Sequence, residues 1–489
     1  MNALDPAMNQ APRRIHHIHI MGIGGTGMAA MAGMLKQSGY QISGSDLQVY
    51  PPMSDFLAAQ NIPVMNGYSE INLEPQPDLV IVGNVIRQSN PEAQALARLG
   101  LPYLSMPQAL GHFFLNKRRS LVVAGTHGKT TTSSLLASCL YGAKKDPSCL
   151  IGGIVQEFGA NFHIGEGPDF VVEGDEYDTA FFDKGSKFLH YQPQVAIITS
   201  LEFDHADIFA DLEAIKDSFR KFVALMPKDG LIIAHLDDAN VAEVVSEAPC
   251  EIQGYGLGTD MHWRLSDLSI HEQYSRFSIH HREENNGEKA LEWDRMQVAL
   301  PGRHNCLNAL AVTAALHHLG LSQAEINTGL SNFSGVKRRQ EVRGKAAGVT
   351  VIDDFAHHPT AVRETLSALR AAYPGNRLIC IFEPRTNSSR RSIFQQDYVN
   401  AFDAADMALI REPLPLDNIA PEEQFSSAQL SSDLRKRGID ATSFPDTNAI
   451  LAELDQCLKP GDVAAIFSNG GFDNIHTRLL SQLERRELS

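Results

Sequence analysis

The segment from Ser120 to Thr132 combines a glycine loop, a lysine and several hydroxyl groups. An apolar, β-branched run ends in Gly125-Thr126-His127-Gly128-Lys129-Thr130-Thr131-Thr132, and a helical pattern follows. Backbone N–H groups that converge between a strand and a helix bind phosphate. Lys129 adds a positive charge for the β and γ phosphates, and Thr130 supplies a hydroxyl ligand for Mg²⁺. The segment therefore predicts an ATP site.

This loop departs from the general phosphate-loop pattern at one position. That pattern has a glycine five residues before Gly128, where Val123 stands, so Gly125 must supply the turn. We expect the helix after the loop to be amphipathic, with leucines in the segment 135–140 on its apolar face. The competing interpretation is an ordinary turn between a strand and a helix, with a solvated lysine.

Acidic residues follow two further apolar strand patterns. Glu173 comes after residues 170–172, and Glu202-Phe203-Asp204-His205 comes after residues 195–198. The carboxyl ends of parallel strands share one edge of a sheet, so these acids are expected to converge on a metal bound to the nucleotide. The alternative is that they are solvated loop acids and that His205 is a surface histidine.

A second glycine loop lies near the N-terminus. Residues 15–21 predict a strand, Gly22-Ile23-Gly24-Gly25-Thr26-Gly27 has the G-x-G-x-x-G spacing, and residues 28–38 predict a helix. A second strand ends near Asp46, about where an acid binds a ribose in a dinucleotide fold. Alone, this pattern also fits a strand-to-helix turn that binds no ligand.

Composition and charge limit the classes of protein to which this chain can belong. The chain has 489 residues and a net charge of −16, without a long basic run, which argues against nucleic acid or an anionic membrane as partner. No apolar window approaches the length of a membrane span and no signal peptide is evident, so we expect a cytoplasmic protein. The six cysteines lie far apart without a C-x-x-C motif, and they predict no disulfide and no zinc.

The predicted fold class is α/β with three domains. We expect a Rossmann-like domain over residues 15–115, a central phosphate-loop ATPase domain over 116–333 and a Rossmann-like domain over 334–489. The central domain should contain an antiparallel insert over 263–300, with Asn286-Gly287 as a hairpin turn and His280 and His281 on the surface. Residues 331–344 have the composition of a linker, and polar residues follow the strands of the third domain.

With these motifs in order, the chain resembles a Mur ligase over nearly its whole length. The resemblance rests on the phosphate loop, Glu173 in Val-Glu-Gly-Asp-Glu, Glu202-Phe203-Asp204-His205, His304-Asn305-Cys306-Leu307-Asn308, Arg338-Arg339 before Glu341, and Asp354-Phe355-Ala356-His357-His358-Pro359-Thr360. It implies an ATP-dependent, amide-forming enzyme that proceeds through an acyl phosphate and uses Mg²⁺.

Within that family, residues 22–28 and 43–46 are similar to the branch that uses UDP-N-acetylmuramic acid. The resemblance thus replaces the dinucleotide by a UDP-sugar. One member of this branch adds L-alanine, whereas another recycles the tripeptide L-alanyl-γ-D-glutamyl-meso-diaminopimelate. Residues 49–53, 176–184, 383–387 and 468–472 resemble the recycling member, which makes tripeptide ligation in peptidoglycan recycling the expected function and L-alanine ligation its alternative.

The resemblance also implies roles for individual residues. The expected catalytic residues are Lys129, Glu173, His205 and Arg339, and the expected metal ligands are Thr130, Glu173 and His205. The expected ATP contacts are Gly125, Thr126, His127, Gly128, Lys129, Thr130, Thr131, His304, Asn305, Asn308, Arg339, Asp354 and His357. The expected UDP-sugar contacts are Gly22, Gly24, Gly25, Thr26, Gly27, Ser45, Asp46 and Asn84. The expected peptide contacts are His358, Arg385 and Asn387.

Two interpretations from other classes compete with a ligase. A nicotinamide-dependent oxidoreductase would use the loop at residues 22–27, but it would leave the phosphate loop and the third domain without a role. A non-catalytic nucleotide-binding scaffold would not need Lys129, Thr130, Glu173 and His205 together.

Overall fold

The computed structural model describes residues 4–204, 206, 208–282, 290–416 and 419–488. His205 and the predicted hairpin turn at Asn286-Gly287 lie outside these residues. The contacts divide the chain into two compact units. The first unit contains Met1–Gly125, Thr132–Leu201 and Glu213–Gln253, and the second contains Thr126–Thr131, Glu202–Leu212 and Gly254–Ser489.

The first unit alternates strands and helices. Its strands are β1 His17–Met21, β2 Gln41–Asp46, β3 Val64–Asn66, β4 Leu79–Val82, β5 Tyr103–Ser105, β6 Arg119–Ala124, β7 Ser148–Val155, β8 Ala160–His163, β9 Asp169–Gly174, β10 Asp178–Ala180, β11 Asp183–Ser186, β12 Val195–Ile198 and β13 Leu231–His235. Its helices are α1 Thr26–Gln37, α2 Met53–Ala59, α3 Pro91–Leu99, α4 Met106–Phe113, α5 Lys129–Gly142, α6 Leu212–Val223 and α7 Ala239–Val245; α5 begins in residues of the second unit.

The N-terminal sheet has the order β3-β2-β1-β4-β5, and all its strands are parallel. The middle strand β1 buries Ile18 and Ile20 completely, as expected for a strand covered on both faces. Helix α1 begins at Thr26, within the glycine loop that follows β1. This sheet confirms the predicted Rossmann-like arrangement at the N-terminus.

Six strands of a larger sheet lie in the first unit in the order β13-β12-β6-β9-β7-β8, parallel except for β8. The prediction that α5 is amphipathic is wrong, because residues 130–140 are buried on every face. Thr132, Ser133 and Ser134 are completely buried. Their side chains are short enough to pack where longer polar groups would have to reach water, so the polar residues of α5 do not mark an exposed face.

The second unit contains the remaining elements. Its strands are the end of β14 Glu251–Gly256, β15 Trp263–Ile270, β16 Ser275–Arg282, β17 Ala290–Val298, β18 Glu341–Ala346, β19 Val349–Asp354, β20 Leu378–Phe382, β21 Met407–Arg411, β22 Asp440–Phe444 and β23 Val463–Phe467. Its helices are α8 Arg303–His318, α9 Gln323–Ser331, α10 Pro359–Ala372, α11 Gln395–Ala401, α12 Ser427–Lys436, α13 Thr447–Cys457 and α14 Ile475–Glu487.

Strands β15, β16 and β17 form the predicted antiparallel insert. His281 is buried, however, so its predicted surface position is wrong. Its ring stacks on Trp263 with the ring centroids 3.7 Å apart. An aromatic neighbour across the strand pair favours burial of the flat imidazole, and this burial lowers the pKa of His281 to about 4.

The C-terminal sheet has the order β18-β19-β23-β20-β21-β22, in which β18 is the antiparallel edge strand. The predicted linker ends too late, because residues 341–344 already belong to β18. The carboxyl ends of β19, β23 and β20 are in register, with Asp354 opposite Phe467 and Phe382 opposite Phe467. The polar residues that follow these three strands therefore cluster at one sheet edge, as predicted.

All six cysteines are free thiols. Among the described residues, no helix has both the length and the apolar character needed to cross a membrane.

Candidate functional site

The phosphate loop, residues 125–131, joins β6 to α5 with glycines at two constrained positions. Gly125 has φ +136°, and a Cβ there would lie 2.1 Å from Thr199 Oγ1. Gly128 has φ +80°, and a Cβ there would lie 2.9 Å from Asn308 Oδ1. Both positions require glycine. Gly125 therefore supplies the turn that the general pattern assigns to the position of Val123.

Arg339 reaches the phosphate loop from a distant part of the sequence. Its Nη2 donates a hydrogen bond of 3.0 Å to Thr130 Oγ1, and its guanidinium lies over the Phe355 ring, 5.0 Å from the centroid. Lys129 is the first residue of α5, next to Thr130. The Arg339 guanidinium thus meets the phosphate loop at the residue after Lys129, beside a helix N-terminus, and this arrangement suits a polyanionic ligand.

Glu173 lies on β9, beside the strand that leads into the phosphate loop. Its register partner on β6 is Val123, two residues before Gly125. A Cβ on Gly152 would lie 2.5 Å from Glu173 Oε2, so the neighbouring strand β7 leaves room for this carboxylate only because it has glycine there. The structure places Glu173 one strand from the loop, whereas His205 lies outside the described residues.

His127, Glu202 and His358 form a compact side-chain cluster. Glu202 Oε2 lies 3.2 Å from His127 Nε2 and 3.7 Å from His358 Nδ1, and the two rings are 4.5 Å apart between centroids. Burial raises the pKa of Glu202, but the hydrogen bonds from His127 and Thr360 outweigh this effect and lower the pKa to about 2. Burial, together with the neighbouring His127, lowers the pKa of His358 to about 3. At neutral pH the cluster therefore contains a carboxylate and an uncharged His358.

The residues predicted to lie near adenine are on the first turns of α8. Asn305 Nδ2 donates to the Pro301 carbonyl at 2.8 Å, and Asn308 Nδ2 approaches Asn305 Oδ1 at 3.5 Å. Gly302 occupies the N-cap of α8, so Asn305 does not cap the helix. The His304 ring lies 3.2 Å from Gln340 Nε2, and burial lowers the pKa of His304 to about 4.

Asp354 shapes the backbone after β19. Its two carboxylate oxygens accept hydrogen bonds of 2.8 Å from the backbone N–H groups of Ala356 and Gln340. Burial raises the pKa of Asp354. Beyond this turn, His357 Nδ1 donates to the Phe355 carbonyl at 3.1 Å, and burial lowers the pKa of His357. The side chain of Asp354 thus fixes the loop that presents the predicted nucleotide residue His357.

The first glycine loop, residues 22–27, is organised by β2. The Gly24 N–H donates to Asp46 Oδ2 at 2.8 Å, and the Gly22 N–H donates to the Ser45 carbonyl at 2.8 Å. The hydroxyl of Ser45 is buried and donates to Glu92 Oε1 at 2.7 Å, so Ser45 supports the loop through its backbone. Gly25 is the N-cap of α1, which begins at Thr26 and has no side-chain cap.

Asn84 follows β4 and donates to Asp178 Oδ1 at 3.3 Å. Both residues belong to the first unit, and Asn84 is exposed. A side chain from the β10–β11 hairpin thus lies at the predicted UDP-sugar position Asn84. Sequence reasoning did not assign a role to Asp178, because nothing in the spacing pairs it with Asn84.

The predicted peptide residues Arg385 and Asn387 follow β20 and are exposed. A Cβ on Gly470 would overlap the guanidinium of Arg385, which shows that this side chain lies directly against the loop after β23. Asn387 Oδ1 accepts a hydrogen bond of 3.1 Å from Arg390 Nη2. The structure therefore places Arg385 and Asn387 at the carboxyl edge of the C-terminal sheet, where the sequence predicted them.

The structure adds contacts for two residues of the sequence motifs. Glu202 belongs to the acidic motif that was expected to converge on a metal, although only His205 of that motif was named as a ligand, and Gln340 follows Arg339 but was assigned no role. The structure shows both through contacts between distant segments, Glu202 with Thr360 and His358, and Gln340 with His304. Because Glu202 and Gln340 both lie in recognised motifs, those motifs were the sequence signal from which their roles could have been predicted.

Comparison with known families gives matches along most of the chain. Residues 17–118 match the model described as "Mur ligase family, catalytic domain", residues 123–316 match "Mur ligase middle domain", and residues 338–470 match "Mur ligase, glutamate ligase domain". These three segments agree with the predicted three-domain fold class.

Individual relatives extend over nearly the whole chain. The chain is 39% identical over 96% of its length, and 98% of the relative's, to the UDP-N-acetylmuramate–L-alanyl-gamma-D-glutamyl-meso-2,6-diaminoheptandioate ligase of Escherichia coli K12. It is 33% identical over 96% of its length to a UDP-N-acetylmuramate–L-alanine ligase of Geobacter sp. strain M21, of which it covers 98%.

A solved structure, that of a murein peptide ligase from Psychrobacter arcticus, has 33% sequence identity and a TM-score of 0.70, over 96% of this chain and 99% of that one. These relatives are all named ligases, which confirms the predicted enzyme class. Three family models match the chain, the relatives are more than 30% identical over nearly their full length, and a distant arginine reaches the phosphate loop. The chain therefore belongs to the Mur ligase family.

Proposed function

We propose that this protein ligates L-alanyl-γ-D-glutamyl-meso-diaminopimelate to UDP-N-acetylmuramate with ATP, in the recycling of peptidoglycan in the cytoplasm. The observation that carries the ATP-dependent chemistry is the hydrogen bond from Arg339 to Thr130, which adds a second cation to the phosphate loop of Lys129. The choice of peptide rests on similarity: the relative named for tripeptide ligation is 39% identical, and the one named for L-alanine ligation is 33% identical.

The reaction requires activation of a carboxylate. Its oxygen is a poor leaving group, so the γ-phosphoryl group of ATP is transferred to it to give an acyl phosphate, which the peptide amine attacks with release of phosphate. Lys129 and Arg339 would hold the negative charge of the phosphoryl group as it moves from one oxygen to the other. The buried Thr130 hydroxyl, already held by Arg339, would keep its position throughout.

The residues predicted to bind Mg²⁺ fit the ion by their donor chemistry. Thr130 supplies a hydroxyl oxygen and Glu173 a carboxylate, and hard oxygen donors of this kind suit Mg²⁺. His205 would complete the set from the acidic motif. Bound there, Mg²⁺ would neutralise the charge between the nucleotide and the substrate carboxylate.

The two organic substrates would use different sets of residues. The UDP-sugar would use the first glycine loop, with Gly22, Gly24, Gly25, Thr26 and Gly27 supplying backbone groups and Ser45, Asp46 and Asn84 flanking them. The peptide would use His358, Arg385 and Asn387, because a guanidinium and an amide recognise carboxylates such as those of diaminopimelate. The adenosine would lie near His304, Asn305, Asn308, Asp354 and His357.

We assign these functions to domains with the predicted boundaries: residues 15–115 for the UDP-sugar, 116–333 for ATP and 334–489 for the peptide. The last domain would close on ATP and exclude water from the acyl phosphate, which would otherwise be hydrolysed.

A substrate competition tests the proposal against the L-alanine alternative. Purified protein receives UDP-N-acetylmuramate, ATP and Mg²⁺ with equimolar L-alanine and tripeptide, and the product masses are measured. The proposal expects the tripeptide adduct to predominate. Preference for L-alanine would assign the protein to peptidoglycan biosynthesis, and NADH oxidation without phosphate release would support an oxidoreductase instead.

A further inference from the structure

We propose that His127, Glu202 and His358 form a binding site for a transition-metal ion of the Zn²⁺ type, separate from the proposed Mg²⁺ site. Within the described residues this is the group in which three such side chains can each offer one ligand atom, with all three atoms within 4.8 Å of one another. The side chains come from the phosphate loop, the acidic motif after β12 and the turn before α10.

The distances approach those of a tetrahedral site. Metal–ligand bonds of about 2.0–2.1 Å place two tetrahedral ligands about 3.3 Å apart. Glu202 Oε2 is 3.2 Å from His127 Nε2 and 3.7 Å from His358 Nδ1. Small side-chain rotations would bring the two imidazoles to the same ion, and water or a substrate would supply the fourth ligand.

Hydrogen bonds to neighbouring groups already orient two of the three ligand side chains. His358 Nε2 lies 3.3 Å from the Phe203 carbonyl, which only accepts hydrogen bonds, so Nε2 carries the proton and Nδ1 keeps its lone pair. The Thr360 hydroxyl donates to Glu202 Oε2 at 2.7 Å. A backbone carbonyl behind a histidine and a hydroxyl behind a carboxylate are typical of metal sites.

The state of His358 also suits metal binding. Its side chain is 7% exposed, and Nε2 donates to the Phe203 carbonyl, so Nδ1 is the ring nitrogen that can bind an ion. Nδ1 accepts a long hydrogen bond of 3.3 Å from the Thr360 N–H, which the ion would replace.

The donor set distinguishes this site from one for Mg²⁺. Two imidazoles and one carboxylate favour Zn²⁺ and its neighbours in the first transition row, whereas Mg²⁺ favours oxygen ligands. The sequence-based prediction of no zinc rested on the cysteines, and this site contains none. The ion would join the phosphate loop to the segment before α10 in the absence of nucleotide.

Metal titration of the full-length protein tests this inference without an activity assay. Protein treated with a chelator and freed of nucleotide and Mg²⁺ is titrated with Co²⁺, followed by its visible absorption, and then with Zn²⁺ in competition. We expect one ion per chain in a four-coordinate spectrum. His358→Ala and Glu202→Gln should each weaken Zn²⁺ binding by more than about 100-fold, since loss of a second partner alone costs 10–100-fold.

Two further variants separate the site from surface binding. Thr360→Val keeps all three ligands but removes the hydroxyl behind Glu202, and it should weaken binding by about 10-fold or more. His163→Ala is the matched control, because His163 pairs with Asp146 at 3.0 Å in a histidine–carboxylate pair outside the cluster, and its affinity should equal that of the parent protein.

The inference is overturned if the parent protein binds no Zn²⁺ beyond the level of the His358→Ala protein, or if Thr360→Val and His163→Ala have the same affinity. Circular dichroism establishes that each variant is folded. Ligation assayed with Mg²⁺ alone is a separate measurement, so failure of the metal site would leave the proposed function standing, and the reverse also holds.

Discussion

The two glycine loops of this protein have the same local architecture and opposite electrostatics. Each follows a buried parallel strand and opens a helix, β1 into α1 and β6 into α5. The first loop has a carboxylate at its N–H groups, since Gly24 donates to Asp46. The phosphate loop instead contains Lys129, and the guanidinium of Arg339 donates to the hydroxyl of Thr130.

This difference teaches that glycine spacing identifies a shape, and that the charges around it select the ligand. A carboxylate at the loop favours a hydroxyl-bearing group such as a ribose, whereas two cations favour a triphosphate. Removal of the charged residues of one loop should therefore impair the function of that loop and leave the function of the other unchanged.

The largest expected effect comes from Lys129→Ala. Loss of the charge that faces the moving phosphoryl group should lower ATP-dependent phosphate release by about 10³-fold. Binding of UDP-N-acetylmuramate, measured by calorimetry, should change less than twofold, because the first loop is untouched. Parallel loss of both properties would show that the two loops do not form separate sites.

Arg339 tests how much of the phosphate-loop chemistry depends on geometry. Arg339→Ala should lower kcat by about 100-fold, as for removal of one preorganised donor. Arg339→Lys keeps the charge but loses the planar fork that bonds Thr130 and stacks on Phe355, and it should recover only part of the loss. Full activity of the lysine variant would reduce the role of Arg339 to its charge alone.

Asp46 is the corresponding test of the first loop. Asp46→Ala removes the acceptor of the Gly24 N–H and should weaken UDP-N-acetylmuramate binding by about 10-fold, which equals the loss of one charged hydrogen bond. Asp46→Asn retains an acceptor and should lose less. At saturating UDP-sugar, kcat should stay close to that of the parent protein, and a large fall in kcat would contradict the division of labour between the loops.

The smallest effect concerns the buried network under the first loop. Burial raises the pKa of Glu92, but hydrogen bonds from His19, Ser45 and Asn72 outweigh it, so this pKa lies below its ordinary value. A lowered pKa gives stability that is fully present above the ordinary carboxyl pKa and is lost as the pH falls.

Glu92→Gln should therefore lower the stability by about 2 kcal/mol at neutral pH, and the difference should narrow in acid. Urea unfolding, followed by circular dichroism at neutral pH and at acidic pH, measures this difference in stability. Glu70→Gln is the control, because Glu70 forms an exposed ion pair with Arg98 and should change little. A difference that is independent of pH would show that Glu92 is not an ionised member of the network.

Much of the fold followed from local patterns. The buried strand β12 was predicted to the residue, because a short β-branched run bounded by polar residues has few alternatives. The errors occurred where tertiary contacts decide: α5 is buried on all faces, and His281 stacks inside the insert on Trp263.

The site residues show the same limit. The prediction that Arg339 acts at the phosphate loop came from family resemblance, and the hydrogen bond to Thr130, across 209 positions of sequence, appears only in three dimensions. The cluster of His127, Glu202 and His358 was invisible to spacing rules, since its members lie on three separated segments.

The sequence by itself determined the alternation of strands and helices, the two glycine loops and the family, because these depend on side-chain period, backbone freedom at glycine and the order of motifs along the chain. The tertiary structure alone decided the contacts that the charged groups make: Asp46 accepts from Gly24, Arg339 donates to Thr130, and two histidines share the Glu202 carboxylate. The physical reason is that electrostatic and metal-ligand interactions act over a few ångströms in space, and chain separation carries no information about such distances until the sheets are formed.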